Sequence, residues 1–190
     1  MKFEFPNEDL LVIFQVEDES THEDTWKLYF NGASNALGHG IGAVLISPEG
    51  EYCPFTVRLN FASTNNVAEY EVCIMGLQVA MAKKVKNLKV YGDSALVIYQ
   101  FQGDWLTRDS RMILYHKRAM EMVDNFEMIN FEHLSREENQ MADALATLAA
   151  MFQINSNDEV QLIRMSIKEE PAHCLHIEEV DGKPWYHDVL

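Results

Sequence analysis

Leu88-Lys89-Val90-Tyr91-Gly92-Asp93-Ser94 is the stretch on which the fold turns. Leu88 to Gly92 reads as a strand, and the chain passes through Asp93 to Ser94, a residue suited to cap a short helix that ends at Gly103. Upstream, Trp26, Leu28 and Phe30 alternate as a half-buried strand does. Ile41 to Ser47 is a second apolar run, Pro48-Glu49-Gly50 a turn, and Glu51 to Leu59 a third strand with an edge at Pro54. These make an antiparallel meander. Asn66-Val67-Ala68-Glu69 has the form of a capping box, with Asn66 as cap and Glu69 in the first turn of a helix that runs to about Lys84.

Downstream, Met112/Ile113, His116, Ala119/Met120, Val123 and Phe126 recur at helical spacing. Ile129, Phe131 and His133 alternate as a fifth strand, and Met141, Leu145, Leu148 and Phe152 mark a last helix. The order is βββ-α-β-α-α-β-α. A meander followed by strands reached through helices predicts an α/β fold: a five-stranded mixed sheet flanked by helices. Ile163, Met165 and Ile167 alternate once more, and this piece is expected to pair with residues 10–16.

The chain has 190 residues, enough for one domain of ordinary size with short flanks: 1–24 as an acidic tether, 25–153 as the domain and 154–190 as an acidic connector. The net charge of −15 alone argues against a nucleic-acid binder. Its distribution reverses that. Residues 1–24 hold eight acids and one base, and residues 153–190 hold eight acids and three bases. Residues 25–152 keep 14 acids and 11 bases, so the central part can still approach phosphates. Lys83, Lys84, Lys86 and Lys89, with Arg108, Arg111, Lys117 and Arg118, form two basic groups that suit either phosphates or solvent. The start has no signal-peptide core, and no apolar run approaches the ~20 residues of a membrane span, so no membrane partner is expected. Cys53, Cys73 and Cys174 lack paired spacing, which predicts reduced thiols and an intracellular setting, cytoplasmic or nuclear.

Four polar residues fall at element ends. Asn31-Gly32 ends the first strand, Glu69 opens the first long helix, Asp93 ends the fourth strand and Asp143 lies in the first turn of the last helix. Adjacent first and fourth strands would set residues 31 and 93 side by side, with the two helix-borne acids leaning over the same point. Clustered carboxylates repel one another and call for divalent cations, and oxygen ligands suit Mg²⁺ or Mn²⁺. Two such ions can clamp an in-line displacement at phosphorus. Each residue alone has a plainer reading: Asn31-Gly32 as a hairpin turn, the acids as helix-end residues. Trp105 suits either core packing or stacking on nucleic acid. His173, Cys174 and His176 lack the spacing of a zinc site.

Tyr29-Phe30-Asn31-Gly32-Ala33-Ser34, Thr64-Asn65-Asn66-Val67-Ala68-Glu69, Tyr91-Gly92-Asp93-Ser94 and the stretch from His133 to Asp143, His-Leu-Ser-Arg-Glu-Glu-Asn-Gln-Met-Ala-Asp, resemble the successive motifs of type 1 ribonuclease H. The wording is most similar to the ribonuclease H domain of plant Ty3/gypsy-type LTR retrotransposon polyproteins, over about residues 25–153. The resemblance implies a ribonuclease H-like fold and an endonuclease that cleaves the RNA strand of RNA–DNA hybrids with two Mg²⁺ or Mn²⁺ ions. It implies Glu69, Asp93 and Asp143 as metal-binding catalytic acids and His133 as a catalytic histidine. Thr64, Asn65 and Asn66 would be the contact to the hybrid's backbone, and reverse transcriptase and integrase would be neighbours.

Position 31 departs from the family, which has Asp there as a metal-bridging catalytic acid. Asn31 offers one neutral amide oxygen and an NH₂ donor. Hydrolysis is therefore expected to be weak or absent, whereas binding of hybrid depends mainly on other residues. A non-catalytic hybrid-binding or structural module is the alternative. Asn followed by Gly is also the pair most prone to deamidation, which would regenerate a trace of Asp at this position.

Overall fold

The computed structural model describes residues 24–35, 38–106, 108–151 and 165–172. The strands are Thr25–Asn35 (β1), Gly38–Ile46 (β2), Tyr52–Leu59 (β3), Asn87–Gly92 (β4), Met128–His133 (β5) and Met165–Lys168 (β6). The helices are Asn65–Ala82 (α1), Ala95–Gln102 (α2), Ser110–Val123 (α3) and Gln140–Met151 (α4). The sheet runs β5-β4-β1-β2-β3-β6. β1, β2 and β3 form the expected antiparallel meander, and β4 and β5 lie parallel on the other side of β1. Every expected strand and helix is present, and short β6 joins the far edge, parallel to β3.

β1 is the strand on which both faces of the sheet depend. Leu28 and Phe30 are fully buried on the face that receives α1, and Leu28 lies against Gly76 of that helix. α1 is buried nearly all round, so its sequence shows no one-sided apolar stripe. α2 and α3 cover it: Tyr70 donates its hydroxyl to Gln100 Oε1 at 2.5 Å, and its ring packs between Phe101 and Tyr115.

α4 takes the opposite face, over Gly40 and Gly42 of β2. A Cβ at Gly42 would lie 2.5 Å from both Ala146 N and Leu145 Cβ, and one at Gly40 would run into Ala146 O and Ala150 N. Backbones this close admit only small residues between them. The buried stripe of α4 is accordingly Ala142, Leu145, Ala146, Ala149 and Ala150. Met141, expected to be buried, is 53% exposed, and Phe152 lies outside the described residues.

Other local expectations shift for identifiable reasons. Asn31-Gly32 does not end β1: pairing with β4 stops at Phe30↔Gly92, but pairing with β2 continues to Asn35↔Gly38. The cap of α1 is Thr64, whose Oγ1 accepts from Val67 N at 3.3 Å, so the helix begins at Asn65 and its first turn holds no acid. Glu69 is thereby moved into the second turn and released from capping. In α3 the buried face is Met112, Tyr115, Ala119 and Met122, while Ile113 is 47% exposed, because Tyr115 turns inward to donate to a buried carboxylate, Glu71. β6 pairs with β3, and residues 10–16, its expected partner, lie outside the described residues.

Replacing Gly42 by Ala should force α4 off β2. The expected loss of stability is about 1–3 kcal/mol, seen as a lower urea midpoint in a protein whose far-ultraviolet circular dichroism is unchanged.

Candidate active site

The register of β1 and β4 sets the site. Phe30 pairs with Gly92, so the next residues, Asn31 and Asp93, follow side by side, Asn31 still paired with Gly42 of β2 and Asp93 just past the end of β4. Asn31 is 3% exposed. Gly32 then makes a close approach possible: a Cβ there would stand 2.7 Å from Ala68 Cβ and 2.8 Å from Glu69 N. Without it, α1 lies directly on β1, and Gly32 N donates to Glu69 Oε1 at 2.8 Å. From the other face, buried Asn139 donates its Nδ2 to Phe30 O at 2.8 Å, and its main-chain oxygen accepts from Asp143 N at 3.1 Å. The start of α4 is thus tied to β1. Asp143 Oδ1 accepts from Asn31 Nδ2 at 2.7 Å.

The sheet tip therefore gathers residues 31, 69, 93 and 143. Burial pushes the Glu69 carboxyl up to about 8, and the negative charges of Asp93 and Asp143 push the same way, against the Gly32 N–H and Arg136. Asp93 is also held above the usual carboxylate range, chiefly by burial and further by Asp143, with Arg136 opposing. Arg136 Nε is 3.7 Å from Asp93 Oδ2, too long for a hydrogen bond, and its side chain is 80% exposed, so this ion pair is weak. Glu69 Oε2 and Asp93 Oδ2 are buried with no hydrogen-bond partner. Buried carboxylate oxygens without a donor call for a proton or a cation, and an all-oxygen donor set fits a hard divalent ion. Among the described residues, no three acidic, histidine or cysteine side chains are grouped so that they could hold a metal ion as they stand.

His133 closes the rim. Its Nε2 is 3.2 Å from Asp93 O, which requires the tautomer protonated at Nε2, and its exposed ring stacks near Tyr99, centroids 6.1 Å apart. Tyr99 in turn meets Trp105 at 5.0 Å; Trp105 is 49% exposed and not part of the core. Thr64 uses its side-chain oxygen on the α1 cap, and Asn65 and Asn66 are exposed on the first turn beside the tip. Among the basic residues, Lys86 pairs with Glu127 at 2.7 Å and Arg118 with Glu121 at 3.4 Å. His173, Cys174 and His176 lie outside the described residues.

Asn139 and Arg136 are the site residues that sequence reasoning missed. An Asn immediately ahead of a helix is a visible signal, but its reach to the carbonyl of Phe30 is set by tertiary packing. The deamidation expected of Asn31-Gly32 is also opposed. That reaction needs the Gly32 nitrogen to attack the Asn31 amide carbon, and here the nitrogen sits in a paired strand with its hydrogen given to Glu69.

Residues 29–149 match the family model described as "Reverse transcriptase-like". The chain is 35% identical over 123 residues to the Ribonuclease HI of Halobacterium salinarum, covering 64% of this chain and 62% of that protein, so it spans less than two thirds of that relative's length. The crystal structure of RNase H1 from the same archaeon is 34% identical, with a TM-score of 0.59, covering 66% of this chain and 96% of that one. The crystal structure of LC11-RNase H1 in complex with RNA/DNA hybrid is 26% identical, also with a TM-score of 0.59 and the same coverage of each chain.

The Glu69 environment gives a pH dependence with a definite sign. In the folded chain this carboxyl protonates at about 8, against an ordinary value of 4.5, so between the two the folded state holds a proton that the unfolded chain has lost. Its contribution is complete below the lower value and is lost as the pH rises through the upper one. In metal-free buffer the urea midpoint should therefore fall between about pH 5 and pH 8.5, and Glu69→Gln should flatten that slope. Separately, Asn139→Ala leaves the Phe30 carbonyl buried and unpaired. It should cost about 1–3 kcal/mol in the same unfolding measurement.

Proposed function

The chain belongs to the reverse transcriptase-like family and carries a ribonuclease H-type domain, and from that premise we propose that it derives from an endonuclease acting on the RNA strand of RNA–DNA hybrids, impaired in this chain by Asn31. The observation that carries the proposal is the meeting of Glu69, Asp93 and Asp143 at one sheet tip, with Glu69 Oε2 and Asp93 Oδ2 buried without a hydrogen-bond donor. Glu69, Asp93 and Asp143 would hold Mg²⁺ or Mn²⁺. Two such ions, when bound, supply an activated water and a neutralised leaving oxygen. Asn31 adds no charge to that set, and its Nδ2–H donates to an Asp143 oxygen that an Asp at 31 would leave to a metal. His133, at the rim beside Asp93, is positioned to hold or pass a proton as product leaves. Asn65 and Asn66 face the hybrid's backbone, where a 2′-hydroxyl tells RNA from DNA; Thr64 orders them by capping the helix.

In this reading the chain is the ribonuclease H region of a plant Ty3/gypsy-type LTR retrotransposon polyprotein. Acidic flanks 1–24 and 154–190 join it to reverse transcriptase and integrase, and it works inside the cell, in the cytoplasm or nucleus. No described helix is long and apolar enough to cross a membrane. The Asn31 Nδ2–Asp143 bond favours a second reading for the chain as written: a hybrid-binding module without turnover.

Asn31→Asp is the test. It should raise Mg²⁺-dependent cleavage of the RNA strand of a hybrid by about 100-fold or more, and adding Asp93→Asn should abolish the gain. The same substitution should give the protein a Mg²⁺-dependent rise in melting temperature larger than that of the unaltered chain. A folded Asn31→Asp protein that binds Mg²⁺ no better and cuts nothing would refute the site. Equal affinity of the unaltered chain for hybrid, double-stranded RNA and double-stranded DNA would refute the binding reading.

A further inference from the structure

Glu71 lies two residues beyond Glu69 on α1 and takes no part in the site. It is fully buried, and its carboxylate collects donors from two other parts of the chain. Tyr115 Oη donates to Oε1 at 2.5 Å, Ala172 N to Oε1 at 2.8 Å, and Lys168 Nζ to Oε2 at 2.5 Å. A buried carboxylate is tolerated when it is paired and hydrogen-bonded in this way and is costly when a partner is removed. Lys168 and Ala172 lie well past residue 149, where the family match stops. The same segment makes further bonds. β6 pairs with β3 over Thr56–Leu59, Asn60 N donates to Lys168 O at 2.8 Å, and Asn60 Nδ2 donates to Glu169 Oε2 at 2.7 Å. Ala172 is 4% exposed within the core cluster.

We propose that residues 165–172 are a clasp, locked by the Glu71 carboxylate, that ties the chain beyond the ribonuclease H-type core to α1, so that release of the clasp loosens the helix bearing Glu69. The physical basis is cooperative. Opening the clasp would strip Glu71 of its cation and of an amide donor while leaving its charge inside α1. It would also bare the N–H and C=O groups of the β3 edge. Neither half is comfortable alone, so the segment opens as a unit and does not fray residue by residue. Because Glu71 is carried on the helix that presents Glu69 to Gly32, the state of the clasp reaches the sheet tip through one rigid element. The proposal stands whether or not the tip is a nuclease site.

Hydrogen exchange on the full chain, read amide by amide without any activity assay, tests it. In the unaltered protein Asn60 and Ala172 should be protected. Glu71→Leu should speed their exchange at least about tenfold and also speed the α1 amides of residues 67–72, while β4 and β5 amides stay protected. Glu71→Gln keeps an acceptor for Tyr115 and Ala172 but loses the ion pair, so it should give a smaller increase. Lys168→Met alone should weaken protection by stranding the charge, and combining it with Glu71→Gln should recover part of the loss. These two variants carry the test if Glu71→Leu does not fold. Exchange at Ala172 and Asn60 as fast as in an unstructured peptide would overturn the proposal. So would indifference of those amides to every Glu71 and Lys168 variant, or a loosened clasp with α1 unaffected.

Discussion

The peptide unit around Asn31 is gripped from both faces of the sheet, and everything at the tip follows from that grip. Asn139 takes the carbonyl of Phe30 from the α4 side, and Glu69 takes the amide of Gly32 from the α1 side. Both bonds go to main-chain atoms of a central strand, which cannot move without disturbing its pairing with β2. Helices held this way do not drift relative to the strand end. Glycine makes the grip possible, since a single Cβ at Gly32 or Gly42 would occupy space already filled by a helix.

Electrostatics at the tip opposes the packing that builds it. Glu69 and Asp93 are buried together near Asp143, and each raises the proton affinity of its neighbours or has its own raised. A fourth carboxylate at position 31 would add to that repulsion. An amide there removes one charge and supplies a donor for Asp143. Asn31 thus leaves the tip less strained by like charge than a carboxylate there would.

A contrasting acid sits two residues further along α1. That helix is covered by the sheet, by α2 and α3 and by the segment ending at Ala172, and it carries an acid toward the tip and another toward the clasp. The two have different partners. Glu69 keeps one oxygen without a donor, whereas both oxygens of Glu71 are satisfied by donors from the protein itself. Burial alone does not distinguish these two acids; the unmet bonding capacity of Glu69 does.

Much of this was legible in the order of residues. Alternation, apolar runs, capping residues and helical spacing together located the first five strands and four helices, because these patterns record which side of a local element meets the core and where it ends. The adjacency of residues 31 and 93 followed from strand order, and Asp93 and Asp143 lie where their element ends put them. Finer details were decided elsewhere. Thr64 took the cap from Asn66, the buried stripe of α4 is four alanines around the single large residue Leu145, and Asn139 reaches a strand carbonyl more than a hundred residues away. The partner of β6 and the lock at Glu71 were equally hidden. Local sequence fixes the direction a side chain takes from its own backbone. How closely two backbones approach, and which distant polar group then comes within 3 Å, depends on the volumes of all the residues packed between them.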